Sequence, residues 1–269
     1  MPEGPEIFLA ARAVNRAVAN QPITLALNYP LLSAKARILR GVPITRVVAR
    51  SKAMLTEFAN GLVLYSHNQL YGEWVVHKTD EPLLAKQIRL IITTQHHQTV
   101  LYSATNFAWL KAGCEDLHPY IAKLGPEVMS LDVSAQHIAR RLREFPRRLI
   151  ADALLDQHVL AGLGNYLRAD ILLAARINPL CKISALSARE LLRIGKISKL
   201  LTQRSVQRNG VVRPWAQYLA ARRAGASHEA ARFYAFDREG LPCFDCATPI
   251  VRVTQGGRGL FYCPACQGT

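Results

Sequence analysis

The sequence predicts an α+β chain of several domains: a sheet-rich first region with a leading helix, a helical middle and a small metal-stapled tail. Three observations carry this. Alternating apolar segments with hairpin turns fill the first half up to about residue 107, helical spacing takes over beyond Leu124-Gly125-Pro126, and four cysteines pair up at the end. A length of 269 residues fits more than one domain. The boundaries are set at 1–125, 126–231 and 232–269. No apolar run approaches the roughly 20 residues of a membrane span, so a soluble chain with no membrane partner is expected.

The elements follow in order. Ile7, Ala11, Val14 and Val18 recur at three- and four-residue spacing, which predicts a helix behind the proline-rich start. "RVVARSKAMLTEF" (46–58) and "LVLYSHNQ" (62–69) read as two strands around Asn60-Gly61, with Lys52 inside the first. "QIRLIITTQ" and "TVLYSATNF" flank a polar His-His-Gln turn. Residues 134–201 read as helices, and Ser187 with Glu190 forms a capping box. Two helical stretches are broken by Ala161-Gly162-Leu163-Gly164-Asn165. Amides at the start of the second favour an anion such as phosphate, although an ordinary helix-terminus turn explains the glycines equally well. The tail holds a hairpin with Gly256-Gly257 at its tip and Arg258 beside it. That arginine suits bidentate phosphate binding, or simply solubilises the surface.

Lys and Arg total 34 against 19 Asp and Glu, a net charge of +15. The excess is uneven: residues 1–128 hold 13 basic and 9 acidic residues, and residues 129–269 hold 21 and 10. Such a domain favours nucleic acid, whose phosphates release counterions on binding, over a merely solvated surface or a membrane-surface patch. Cys243, Cys246, Cys263 and Cys266 form two C-x2-C knuckles at zinc-ribbon spacing. Four thiolates make a closed, structural zinc site. The alternative, two disulfides, needs an oxidising compartment. Cys114 and Cys181 read as ordinary reduced thiols.

The chain opens Met1-Pro2-Glu3-Gly4-Pro5-Glu6-Ile7, without the basic and apolar stretches of a secretory leader. With Met1 removed, Pro2 is a terminal secondary amine beside a carboxylate. That is either a nucleophile with its acid–base partner or a coincidence.

Together the "PEGPE" opening, the lysine of "SKAML", the "GLGNYL" turn and the "GRGLFYC" hairpin resemble the formamidopyrimidine-DNA glycosylase and endonuclease VIII family, in order and over most of the chain. "LYSHNQLYG" (64–72) resembles the endonuclease VIII branch. The resemblance implies a β-sandwich, a helix–two-turns–helix domain and a zinc ribbon, with duplex DNA in the cleft between the two halves. It implies a bifunctional glycosylase and lyase of base-excision repair that acts on oxidised pyrimidines as a monomer in the bacterial cytosol at the nucleoid. Pro2 would be the nucleophile and Glu3 the proton donor, with Glu6 either catalytic or only a helix cap. Lys52 would contact phosphate and assist catalysis. Asn165 and Arg258 would clamp the phosphates around the flipped nucleotide, Arg258 as part of the catalytic set. Gln69, Leu70 and Tyr71 would fill the gap in the stack, the alternative being that they pack in the sandwich core. Asp170 stands where the branch is expected to carry glutamate, and residues 203–231 resemble the family only weakly. Two other functions stay open: the same chemistry on oxidised purines, and a non-catalytic DNA-binding zinc-ribbon protein.

Overall fold

The computed structural model describes residues 2–268 and divides into two compact units, one ending at Lys123 and one beginning at Leu124. In the first, helix α1 (Gly4–Val18) starts two residues earlier than its apolar periodicity indicates, because Pro5 occupies its first turn, where a missing N–H costs nothing. It buries Ile7, Ala11, Val14 and Val18. There follow β1 (Thr24–Leu27), the single turn α2 (Pro30–Ser33), β2 (Ile44–Arg50), β3 (Ala53–Phe58), β4 (Leu62–His67), β5 (Glu73–Lys78), β6 (Ile88–Thr93), β7 (His97–Tyr102) and β8 (Asn106–Lys111). They build two antiparallel sheets, ordered β1-β6-β7-β5 and β2-β3-β4-β8. Val47, Met54, Leu64 and Phe107 of one sheet share a core with Trp74, Leu90, Ile92 and Leu101 of the other. The result is a β-sandwich with α1 packed on it. The outer edge of β2 is closed by α1 and the turn that follows it: Asn15 Oδ1 accepts the Val47 amide at 2.7 Å, and the Asn20 amide donates to the Ile44 carbonyl at 2.8 Å.

Two strand readings need correction. Residues 46–58 are two strands, because the chain reverses at Ser51-Lys52, where Arg50 pairs with Ala53. Lys52 therefore lies in a tight turn and not inside a strand. The turn is carried by Ser51 in the left-handed region (φ 57°), without the glycine or asparagine that normally announces one. Residues 99–107 also divide. Ser103 (φ 50°) ends β7, and β8 crosses to the other sheet beside β4.

The second unit contains α3 (Ala135–Arg143), α4 (Ile150–Leu155), α5 (Asn165–Ala175), α6 (Ala188–Gln207), α7 (Trp215–Arg223), α8 (His228–Arg232), the hairpin β9 (Val251–Gln255) and β10 (Arg258–Tyr262), and a closing turn α9 (Pro264–Gln267). Ser187 and Glu190 form the expected capping box at the start of α6. Helices α3 and α6 cross so closely that a Cβ at Gly195 would stand 2.3 Å from the Ala135 carbonyl oxygen. Helix α5 is buried almost all round, with Leu167, Ile171 and Leu172 in the helical core. Such a helix has no polar face to show to water. The segment between α6 and the hairpin carries α7 and α8 and is closed at its neck. The Val212 amide donates to the Arg232 carbonyl at 3.1 Å, and Arg213 Nη1 to the Ala231 carbonyl at 3.0 Å.

Candidate functional site

In the first unit the site is built around the start of α1. Glu3 is the N-cap residue, in extended conformation and only 3% exposed. Its side chain accepts the Glu6 amide, while Glu6 Oε2 accepts the Glu3 amide at 3.0 Å. Glu6 thus acts as the return half of a capping box, which gives it a structural task at this position. A carboxylate at a helix N-terminus is stabilised by the amide dipoles that converge there. A cleft of about 460 Å³ opens beside Pro2, and its walls include Asn68, Leu70, Tyr71 and Lys86.

The β4–β5 loop forms one of those walls. Leu70 and Tyr71 are 59% and 77% exposed, a costly way to display apolar surface unless something covers it. The loop is nonetheless well held. Gln69 adopts φ 52°, its amide donates to His67 Nδ1 at 2.9 Å, and its Oε1 accepts the Thr105 hydroxyl at 2.8 Å. The Gly72 amide closes the loop on the Asn68 carbonyl at 2.7 Å, and a Cβ at Gly72 would meet that same oxygen at 2.6 Å. His67 is held neutral, its pKa pushed down to about 4 first by burial and then by the charge of Lys52. Its Nδ1 is therefore available as an acceptor for the loop. Lys52 is itself 6% exposed. Tyr120 packs edge-on against His67 and reaches the neighbouring Ser51 hydroxyl at 3.4 Å.

In the second unit the residues singled out above converge on the hairpin. The chain turns through Gly162 (φ 96°) and enters α5 at Asn165. Asn165 Nδ2 donates to the Gly259 carbonyl at 3.0 Å, and the fully buried Arg168 donates to the same carbonyl at 3.3 Å and to Asn165 Oδ1. From the other side Gln255 donates to Asp152 Oδ2 of α4 at 2.9 Å. The hairpin tip, Gly256-Gly257, is thereby fixed to two helices. Arg258 stands exposed at the tip and joins none of the ion pairs among the described residues.

The four knuckle cysteines meet. Their Sγ atoms lie within 4.8 Å of one another, with close pairs at 3.4 and 3.9 Å. A tetrahedron with Zn–S bonds of about 2.3 Å has edges of about 3.8 Å, so this donor set fits zinc. Cys243 and Cys263 are buried in a small core with Ala169, Leu173 and Phe261. Phe244 lies between the guanidinium groups of Arg213 and Arg238, 3.3 and 3.6 Å from its ring centre, which ties the first knuckle to the neck described above.

Asp170, flagged only as a departure from pattern, proves to be a staple. It is fully buried and accepts the amides of Tyr234, Ala235 and Phe236 at 2.8, 2.8 and 3.0 Å. Burial pushes its pKa up to about 6 against the opposing pull of those three amides. Asp170→Asn keeps the shape but turns one acceptor into an N–H2 group facing amide donors. Urea unfolding of that variant is expected to show a loss of about 3 kcal/mol. An unchanged midpoint would show that the carboxylate does not hold this segment.

Residues 1–107 match the formamidopyrimidine-DNA glycosylase N-terminal domain, residues 124–213 the formamidopyrimidine-DNA glycosylase H2TH domain, and residues 240–268 a zinc finger found in FPG and IleRS. The chain is 36% identical over 271 residues to an Endonuclease 8 from a strain of Escherichia coli, covering 99% of this chain and 100% of the relative. The chain belongs to the formamidopyrimidine-DNA glycosylase and endonuclease VIII family. An Endonuclease 8 of Klebsiella pneumoniae is 35% identical at the same coverage, which supports the endonuclease VIII branch. Among solved structures, Lactococcus lactis Fpg bound to DNA with an AP site superposes with a TM-score of 0.81 at 20% identity, covering 99% of this chain and 100% of that one. MutM in complex with DNA containing carbocyclic 8-oxo-G gives 0.82 at 22%, with full coverage of both. The α+β architecture expected of this endonuclease VIII-type chain is present, with sheets first, helices next and the cysteine cluster last. His67 and Arg168 were missed as organising residues. Both had a signal: His67 directly precedes the loop of interest, and Arg168 follows Asn165 by three, on one helical face.

Proposed function

We propose that this member of the endonuclease VIII branch excises oxidised pyrimidines from duplex DNA and cleaves the strand through an imine formed on Pro2. Membership makes it a base-excision-repair DNA glycosylase with AP-lyase activity. The placement of Pro2 directly before the buried N-cap Glu3, beside a cleft flanked by exposed Leu70 and Tyr71, is the observation that supports the finer reading.

The chemistry follows from the groups. An α-amino group has a pKa near 7.7–8.0 where lysine has about 10.4, so a terminal Pro2 supplies neutral amine at physiological pH. Attack of this secondary amine on C1′ breaks the C1′–base bond after the sugar opens, and the product is an obligatorily cationic iminium. That iminium acidifies the C2′ proton. Its removal expels the 3′ phosphate, and a second elimination expels the 5′ phosphate. Glu3 delivers a proton to the sugar ring oxygen and then shuttles protons between the later steps. Lys52, Asn165 and Arg258 hold backbone phosphates, which positions the duplex without reading sequence. Gln69, Leu70 and Tyr71 occupy the space left by the extruded nucleotide, as apolar and planar wedges do. One zinc ion on Cys243, Cys246, Cys263 and Cys266 would hold the hairpin that presents Arg258. The enzyme works as a monomer in the cytosol, at the nucleoid. No helix among the described residues is long and apolar enough to cross a membrane.

Borohydride trapping tests this reading. DNA with a single thymine glycol should give a covalent adduct in high yield, and DNA with a single 8-oxoguanine much less. The adduct should map to Pro2, and intact mass should show Met1 absent. Preferential trapping on 8-oxoguanine would move the substrate to oxidised purines, and no adduct on either would leave a DNA-binding protein without this chemistry. Full activity in protein that keeps Met1 would remove Pro2 as the nucleophile.

A further inference from the structure

The β1 edge of the first sheet carries no added strand among the described residues. Strand β1 ends its sheet and, among the described residues, pairs only with β6. The Asn28 amide donates to the Arg89 carbonyl at 2.8 Å, and antiparallel pairing alternates. Thr24 and Ala26 therefore bond inward, in phase with Asn28, while Leu25 and Leu27 turn their N–H and C=O groups to the open edge. The edge of β2, by contrast, is closed by Asn15 and Asn20. A free strand edge is a template for another chain, and proteins normally cover or blunt it.

This edge lines a groove of about 670 Å³ whose far wall is the segment Ala36–Gly41. The groove has an apolar floor with Leu25, Leu27 and Leu39, and a basic rim with Arg37 and Arg40. Arg37 and Arg40 are exposed, and neither they nor Lys35 enters an ion pair among the described residues. No aspartate or glutamate occurs between Ile7 and Thr56, so no local carboxylate neutralises the rim.

We propose that the open edge of β1, with Arg37 and Arg40, is a docking groove for an extended acidic peptide of a partner protein, taken up as an additional strand. Each feature favours peptide over nucleic acid. The edge offers donors and acceptors alternately, as a peptide backbone does, whereas phosphate oxygens can only accept and would leave the Leu25 and Leu27 carbonyls unmatched. The leucine floor suits alternate apolar side chains and the arginines suit alternate carboxylates. A second copy of this chain fits less well, because pairing β1 with β1 sets two basic rims against each other.

The test uses a short acetylated peptide of alternating glutamate and valine, with its lysine–valine counterpart as control. The acidic peptide should slow amide exchange at Leu25 and Leu27 by about tenfold or more, with other strands unchanged. The double variant R37E/R40E should bind it at least about tenfold more weakly while excising damaged bases at the wild-type rate. Leu25→Pro, which removes one edge donor at a position where a sheet accepts proline, should lose the protection at Leu27 as well. The proposal is overturned if saturating acidic peptide leaves Leu25 and Leu27 unprotected, or if the basic peptide protects equally. It is also overturned if undamaged duplex alone protects these amides, which would make the groove a nucleic-acid surface, or if protection rises with protein concentration alone, which would make it a dimer edge.

Discussion

Glu3→Gln is expected to lower base excision by about 10²–10⁴, the usual contribution of a positioned acid–base group, while DNA binding holds or tightens slightly. The capping geometry makes this a clean substitution. The glutamine carbonyl can still accept the Glu6 amide, and the Glu3 main-chain amide still reaches Glu6 Oε2. What is lost in folding is a charge–dipole contribution of up to about 2 kcal/mol for a buried carboxylate at a helix N-terminus, with the capping hydrogen bonds kept. On the proposed mechanism, what is lost in chemistry is the proton delivered to the sugar ring oxygen. An abasic site has no base to release, so strand cleavage there should fall less than excision. Arg258→Ala should behave oppositely, weakening binding to damaged and undamaged duplex alike and reducing the salt slope by about one unit. Excision of thymine glycol at the wild-type rate by Glu3→Gln would dismiss the carboxylate from the mechanism.

Removal of one metal ligand should have the largest effect on the second unit. Structural zinc contributes an apparent 10–16 kcal/mol or so to small sites of this kind, and the core shared with Cys243 and Cys263 is small. Cys243→Ser should therefore release the metal, unfold the hairpin and abolish specific DNA binding. The helices should persist, because their core is drawn mainly from α3, α4, α5 and α6, with only Leu260 and Val253 contributed by the hairpin. Metal analysis should find one zinc per wild-type chain and none in the variant, with far-ultraviolet dichroism little changed. Wild-type affinity in metal-free Cys243→Ser would break the link between the ion and DNA contact. Cys114→Ser, far from any ligand motif in sequence, should leave all three measurements unaltered.

What could be read from the sequence was what is local or repetitive. The Asn60-Gly61 reversal, the Ser187–Glu190 box and the cysteine knuckles each carry their signal within a few residues. The reversal at Ser51-Lys52 does not, since a serine adopting positive φ there is a choice made by the sheet around it. The most informative contacts join positions far apart in the chain: Asn165 with Gly259, Gln255 with Asp152, and Asp170 with the amides of 234–236. Asp170 was visible as an oddity, but its task depends on a segment more than sixty positions away. Likewise the coupling of Lys52, His67 and Gln69 needs two adjacent strands in register before it exists.

The closed neck at Val212, Arg213 and Arg232 has a consequence for changes in the segment it closes. Because the chain leaves and returns through paired backbone groups, the helices α7 and α8 between them form an exchangeable cassette. The free energy of closing such an excursion grows only slowly with its length. Asp170, gripping residues 234–236 immediately after it, insulates the metal-bearing hairpin from whatever the cassette contains. A change of length or composition within residues 214–230 should therefore leave the hairpin anchored where it is.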